Sequence, residues 1–250
     1  MEMIIDQGKL LRGKDVIINN VGVLKPIIVD EIIEIGEKKY YQYLNNLCFD
    51  IDDLQVTGEE KQKLLDENAT TFQIICINCF YNMEFLKMIL EAFKFFLKED
   101  ICFVKQLGTF FINDFENYRF ITSKNYEEIK TILKLQNGLL KDDILDDNPK
   151  DERTRMLLEK RRKAREKLAK AKAKQNEGDS TPLTFADLIS IMCANANGVN
   201  NNNVWNMNIY FFQDQFQRMK LIEDYDIGIR SLLAGANSEE VDLKHYMSHL

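Results

Sequence analysis

Cys76 and Cys79 form a C-x-x-C pair, a spacing that serves thiol–disulfide exchange or half of a zinc site. A zinc site needs two further ligands at comparable spacing. Cys48, Cys102 and Cys193 stand alone, and the two histidines, His245 and His249, lie far downstream. The pair also falls inside an apolar, helix-periodic run rather than at a tight knuckle, so it reads as two core thiols. His245 and His249 are one helical turn apart and could approach a single ion. No glutamate follows His245, so the zinc-protease pattern H-E-x-x-H fails and the two read as surface histidines. Carboxylate pairs are frequent (Asp52/Asp53, Asp142/Asp143, Asp146/Asp147, Glu239/Glu240), but they fall in turn-like or helix-starting contexts. General acid–base work needs carboxylates fixed in a desolvated pocket. Glycine-rich phosphate loops, nucleophile elbows and EF-hand spacings are missing from the sequence. We therefore expect no catalytic residues, no metal and no cofactor, and a binding protein instead of an enzyme.

Two stretches have the composition of binding surfaces. The first is cationic: Lys160, Arg161, Arg162, Lys163 and Arg165 sit in residues 150–174, which hold twelve Lys/Arg and four Asp/Glu, a local charge of +8. The rest of the chain carries a net −15, so that the whole is −7. No aromatic or polar base readers interleave with these lysines and arginines, so a nucleic-acid interface is not expected. A solvated helical spacer, or electrostatic docking on an acidic partner, fits better. The second is apolar: Trp205, Ile209, Phe212, Phe216 and Met219 recur at intervals of four, three, four and three. That is a continuous stripe along one helix face. It can serve as the core of a small helical module, as a grip for a partner, or as both.

The elements that must hold these residues follow from periodicity and turn chemistry. With 45% hydrophobic residues, three prolines and eleven glycines, the chain favours helix and can bury a core. Val16–Ile18 and Ile27–Val29 read as short strands. A helix follows from about Val29 to Cys48, with Gly36 as its point of interruption, then a polar turn from Asp50 and a helix start at Thr57. Thr70 to Lys98 reads as one long apolar-periodic helix with Phe72, Ile75, Cys79, Leu86, Leu90, Phe93 and Leu97 inward. Its interspersed charges and amides exclude a membrane span. Residues 101–104, 109–112 and 118–121 alternate like a three-stranded meander. A helix capped by Thr122 or Ser123 runs to Asn137-Gly138. Residues 139–149 read as an acidic linker and 150–174 as an exposed basic helix. After the polar break at 175–182, Thr184 and Asp187 open a helix to about Ala196. A further helix runs from the asparagines at 200–203 through Trp205 to Ala234-Gly235, and a short one starts at Ser238. The expected fold is mainly α with a small antiparallel β meander. It comprises an α+β N-terminal domain (1–138), an acidic linker with the exposed basic helix (139–182), and a small all-α C-terminal module (183–250). The first residues lack a charged-then-apolar leader, and five cysteines make an odd set, which together suit a reducing cytoplasm.

Three patches carry a family resemblance. They are Val23-Leu24-Lys25-Pro26 leading into Glu34–Tyr40 and Tyr43-Leu44; Asn125–Ile129 with Leu135-Gln136-Asn137; and Ala186–Ser190, Asn197-Gly198, Val204–Asn206 and Tyr210–Met219. Together they resemble the tail assembly chaperones of tailed bacteriophages of Gram-positive hosts. The resemblance implies a non-enzymatic, mainly helical protein of the host bacterial cytoplasm that is absent from the finished virion. Such a protein binds the tape-measure protein and tail-tube subunits during tail morphogenesis, and a homo-oligomer is possible. It also implies that the basic segment could join an N-terminal body to a frameshifted extension. Two other readings stand beside it: a structural virion component of neck, baseplate or tail, and a nucleic-acid-binding regulator.

Overall fold

The computed structural model describes residues 6–51, 69–112, 119–139, 183–195, 198–236 and 243–248. After a short helix α1 (Gln7–Leu11), strands β1 (Val16–Ile18) and β2 (Gly22–Leu24) form an antiparallel hairpin in which Val16 faces Leu24 and Ile18 faces Gly22. The second strand thus lies earlier than the expected Ile27–Val29. A turn with positive φ at Asn20 (60°) and Gly22 (138°) closes the hairpin at once. Ile28 instead caps helix α2 (Val29–Ile35): its N–H donates to the Glu31 carboxylate at 3.1 Å. Gly36, at φ 86°, separates α2 from α3 (Glu37–Cys48), where the sequence marks the interruption.

The expected single helix of residues 70–98 is two helices, α4 (Thr71–Tyr81) and α5 (Met83–Leu97). Asn82 leaves the helical region (φ −123°, ψ 107°), and its side-chain oxygen accepts the N–H groups of Glu84 and Phe85, both at 3.0 Å. Apolar periodicity on both sides hides such a break, because one asparagine can cap a new helix without disturbing the pattern. Leu90, expected inward, is only half-buried, while Ile89, Ala92 and Phe96 are buried. The meander is as expected: β3 (Ile101–Val104), β4 (Thr109–Ile112) and β5 (Phe120–Ile121) pair antiparallel in that order. Arg119 ties it to the hairpin, pairing with Glu99 and donating to the Val21 carbonyl at 3.2 Å. Helix α6 (Ser123–Gln136) starts at Thr122, whose N–H donates to Asn125, and ends at Asn137 with Gly138 at φ 64°.

Helix α7 (Phe185–Ala194) has the expected Thr184/Asp187 start. A one-turn 3-10 helix (Val204–Asn206) follows, and α8 (Ile209–Leu233) begins only after Asn208, whose side chain accepts from Phe211 N–H at 2.9 Å. Trp205 therefore precedes the helix that the sequence pattern assigns to it. The competing cap at Asn208 sets the boundary. Gly235, at φ 97°, stands just past the end of α8, as expected.

The C-terminal helices join the N-terminal body through main-chain pairing. Ile209 N–H donates to Ile27 C=O at 2.9 Å and Val29 N–H to Met207 C=O at 3.0 Å. Asn208 donates to the Leu11 carbonyl at 3.1 Å, and Phe185 N–H donates to the Glu37 carboxylate at 3.0 Å. Buried residues from β1 to α6 and from α7, the 3-10 turn and α8 as far as Met219 form one continuous apolar core. The fold is α+β and mainly helical, with two small antiparallel sheets. The acidic linker, the basic segment, the Thr57 start and the Ser238 start lie outside the described residues.

Candidate functional site

The apolar stripe, which the sequence offers as core, as grip or as both, is turned inward along most of its length. Ile209, Phe212 and Met219 are buried, with Phe212 1% exposed and its ring edge-on to Phe185 at 5.4 Å between centroids. Trp205 and Phe216 are half-buried against the same core, and the Trp205 indole N–H donates to the Asn201 carbonyl at 2.8 Å. Lys160, Arg161, Arg162, Lys163 and Arg165 lie outside the described residues.

Past Met219, α8 continues for nearly four turns and contributes nothing to the core. Ile222 and Leu233, three turns apart on one face, and Ile227 on another, are all exposed, Leu233 at 83%. Asn195 holds the base of this segment by donating to Glu223 at 2.9 Å. Residues 243–248 lie alongside. Arg218 donates to the carbonyls of Tyr246 and Ser248 at 2.9 and 2.8 Å, and Tyr225 stands edge-on to His245 and Tyr246. The His245 Nδ1 accepts Met247 N–H at 3.1 Å, so that nitrogen already has a donor. His249 lies outside the described residues. Sequence reasoning missed this distal half because it follows the strongest stripe of the chain, and periodicity does not tell where the covering body stops.

A second exposed apolar face lies on α4. Phe72, Ile75 and Cys79 point into the core, while Ile77, Phe80 and Tyr81 on the other side face solvent. The C-x-x-C pair belongs to the inward side. The Cys76 thiol donates to the Gly108 carbonyl at 3.3 Å, and burial pushes the thiols of both Cys76 and Cys79 up to about 12. At that value neither is a thiolate at physiological pH, so redox exchange and metal ligation are disfavoured. Among the described residues, no group of three or more His, Cys, Asp or Glu is placed to hold a metal. No helix among them is long and apolar enough to cross a membrane.

Several ion pairs converge on one partly exposed clamp. Asp50 pairs with Lys130 at 3.0 Å and with Lys134 at 2.5 Å, and Lys130 also reaches Glu127 at 2.9 Å and the Thr71 hydroxyl at 3.2 Å. Partial burial opposes ionisation of Asp50, but the hydrogen bonds from Lys134 and Lys130 prevail and hold its carboxyl below the usual value. Burial likewise opposes the Lys130 charge, and Glu127 and Asp50 outweigh it and raise its pKa. The clamp ties the segment just past α3 to the start of α4 and to the C-terminal half of α6. Asp50 and Glu127 are half-exposed but paired with lysine, and a lysine pair one turn apart reads in sequence as an ordinary solvated face. A hollow of about 420 Å³ at the start of α6 is lined by Asn19, Asn20, Phe120, Thr122, Ser123, Lys124 and Asn125. Lys124 is its single ionisable lining residue, and Asn125 is spent on Thr122 N–H and Phe120 C=O. Proton transfer between paired groups is not available there.

Residues 172–250, just under a third of the chain, match the family model described as the YomV second domain. That family is phage-associated, which points to a bacteriophage protein. The matched stretch takes in α7, the 3-10 turn and all of α8. No curated protein and no solved structure matches the chain.

Proposed function

We propose that this chain is a non-enzymatic tail assembly chaperone of a bacteriophage, working in the host cytoplasm on the tape-measure protein and on tail-tube subunits. One observation carries the proposal. The stretch that matches a phage-associated family contains a helix that leaves its own core behind and goes on with Ile222, Ile227 and Leu233 exposed. Apolar helical surface in water is a cost unless a partner covers it. A long amphipathic helix, the chemistry of a tape-measure protein, suits such a surface, since two helices bury apolar stripes along a shared length. The inward-turned stripe from Ile209 to Met219 is, on this reading, the anchor that fixes α8 on the body, and the distal half is the grip.

The test is co-expression of the full chain with the tape-measure protein of the same phage. The proposal expects soluble tape-measure protein that co-purifies with the chain, and loss of both when Ile227→Lys and Leu233→Lys are combined. It also expects the chain to be missing from purified virions. Tape-measure protein that stays insoluble beside the wild-type chain, or the chain found as a stoichiometric virion component, would overturn it.

A further inference from the structure

We infer that the outer face of α4 is the contact of a symmetric homodimer. The face consists of Ile77, Phe80 and Tyr81 on α4, Met83 just beyond the break at Asn82, and Leu107 of the β3–β4 turn. That turn is held against α4, with the Cys76 thiol bonded to Gly108 and the Lys105 ammonium 5.5 Å from the centre of the Phe80 ring. A helix apolar on opposite sides belongs in an interior. Here one side is in the core while the other is in water, with Ile77 at 58%, Tyr81 at 83% and Leu107 at 66% exposure.

Area and charge select a second copy as the occupant. Five side chains of roughly 200 Å² each, at these exposures, offer about 650 Å². That lies at the top of what a monomer usually leaves in one apolar patch, and it approaches the ~800 Å² that each partner contributes to a standard interface. The exposed amides Gln73, Asn78, Asn82 and Gln106 would supply a neutral polar rim. The molecule as a whole is at −7, so two copies repel over most approaches. Among the described residues, the one charged group located on this face is Lys105, over the Phe80 ring, so the face is locally not acidic and two copies can meet across it. In a two-fold contact each patch meets itself, which requires a surface that does not repel its own image. An aromatic–aliphatic patch with a neutral amide rim meets that requirement. This contact is separate from the α8 grip, and its test does not depend on tape-measure binding.

The test is sedimentation of the full wild-type chain from about 1 to 100 μM, with Ile77→Lys/Tyr81→Lys as the disrupting variant and Ile17→Lys, an exposed apolar site on the hairpin, as control. The expected result is a species of twice the 29.3 kDa chain mass, with a dimer Kd raised at least about tenfold by the α4 substitutions and unchanged by Ile17→Lys. As a second readout, oxidation of a Tyr81→Cys variant, in a Cys102→Ser background, should yield a covalent dimer, whereas Ile17→Cys should not. A wild-type chain that stays monomeric throughout, or a dimer indifferent to the α4 substitutions, overturns the inference.

Discussion

Replacing Phe212 with alanine tests whether the C-terminal helices are built into the same cooperative unit as the rest of the chain. Phe212 is 1% exposed, packs edge-on against Phe185, and lies four residues from the Asn208 junction with the N-terminal body. Truncating a phenylalanine at so enclosed a site costs about 3–5 kcal/mol, the lost transfer energy plus the cavity left behind. At ~2–4 °C per kcal/mol for a chain of this size, the melting temperature should fall by about 6–20 °C. With a urea m-value of about 2–3 kcal/mol/M, the midpoint should drop by about 1–2.5 M. Trp205 is the sole tryptophan of the chain and sits half-buried beside α8, so its fluorescence reports on the C-terminal segment alone. Far-UV circular dichroism reports on all the helices. The main-chain pairing at Ile27–Val29 and the shared core require both signals to move together, in wild type and in variant, at one fixed protein concentration. A Trp205 transition that precedes the dichroism transition, or a Phe212→Ala shift seen by fluorescence only, would mean that the C-terminal helices unfold apart from the rest of the chain.

Other expectations follow from individual contacts. Asp50→Asn leaves Lys130 and Lys134 without their shared carboxylate. Since Asp50 is half-exposed, the loss at neutral pH should be about 2 kcal/mol, below the 3–5 typical of a fully buried pair. Because the folded-state pKa of Asp50 is lowered, its contribution is complete above its unfolded value, near pH 4, and fades as pH falls through the folded value. Stability curves of wild type and Asp50→Asn should therefore converge on the acid side, and parallel curves down to pH 2 would contradict the clamp. Thiol labelling under mildly alkaline conditions should modify exposed Cys102 more than about a hundredfold faster than Cys76 or Cys79, as read by peptide mass mapping. Asn208→Ala removes both the α8 cap and the link to Leu11, and should cost about 1–2 kcal/mol in chemical denaturation.

Where local rules sufficed, the sequence was readable. Thr184 with Asp187 marked the start of α7, Gly36 separated α2 from α3, and the alternation of residues 101–121 laid out the meander. Each signal is a short-range one, a cap, a positive φ or a pleat. The misplacements came where two local solutions competed. Asn82 and Asn208 both start helices inside runs whose apolar period continues undisturbed. The β1–β2 turn at Asn20 and Gly22 took up β2 before the more β-branched Ile27–Val29 could pair, leaving Ile28 to bridge Asn208 across the chain. The candidate site was less legible for a different reason. A stripe such as Trp205–Met219 announces that something will cover it, and only the tertiary arrangement says whether the cover is the chain's own body or another molecule. The core stops at Met219, so exposure moves along the same helix to Ile222, Ile227 and Leu233. The outer face of α4 was hidden in the same manner, because Ile77, Phe80 and Tyr81 share a uniformly apolar helix with the core residues Phe72, Ile75 and Cys79.

Hydrogen exchange on the co-purified complex with the tape-measure protein reads whether the distal half of α8 grips another polypeptide. Backbone amides of residues 220–233 should exchange at least about tenfold more slowly in the complex than in the free chain, with those of α4 unchanged by the partner. Equal exchange of residues 220–233 in both states, with protection arising elsewhere on the chain, would contradict it.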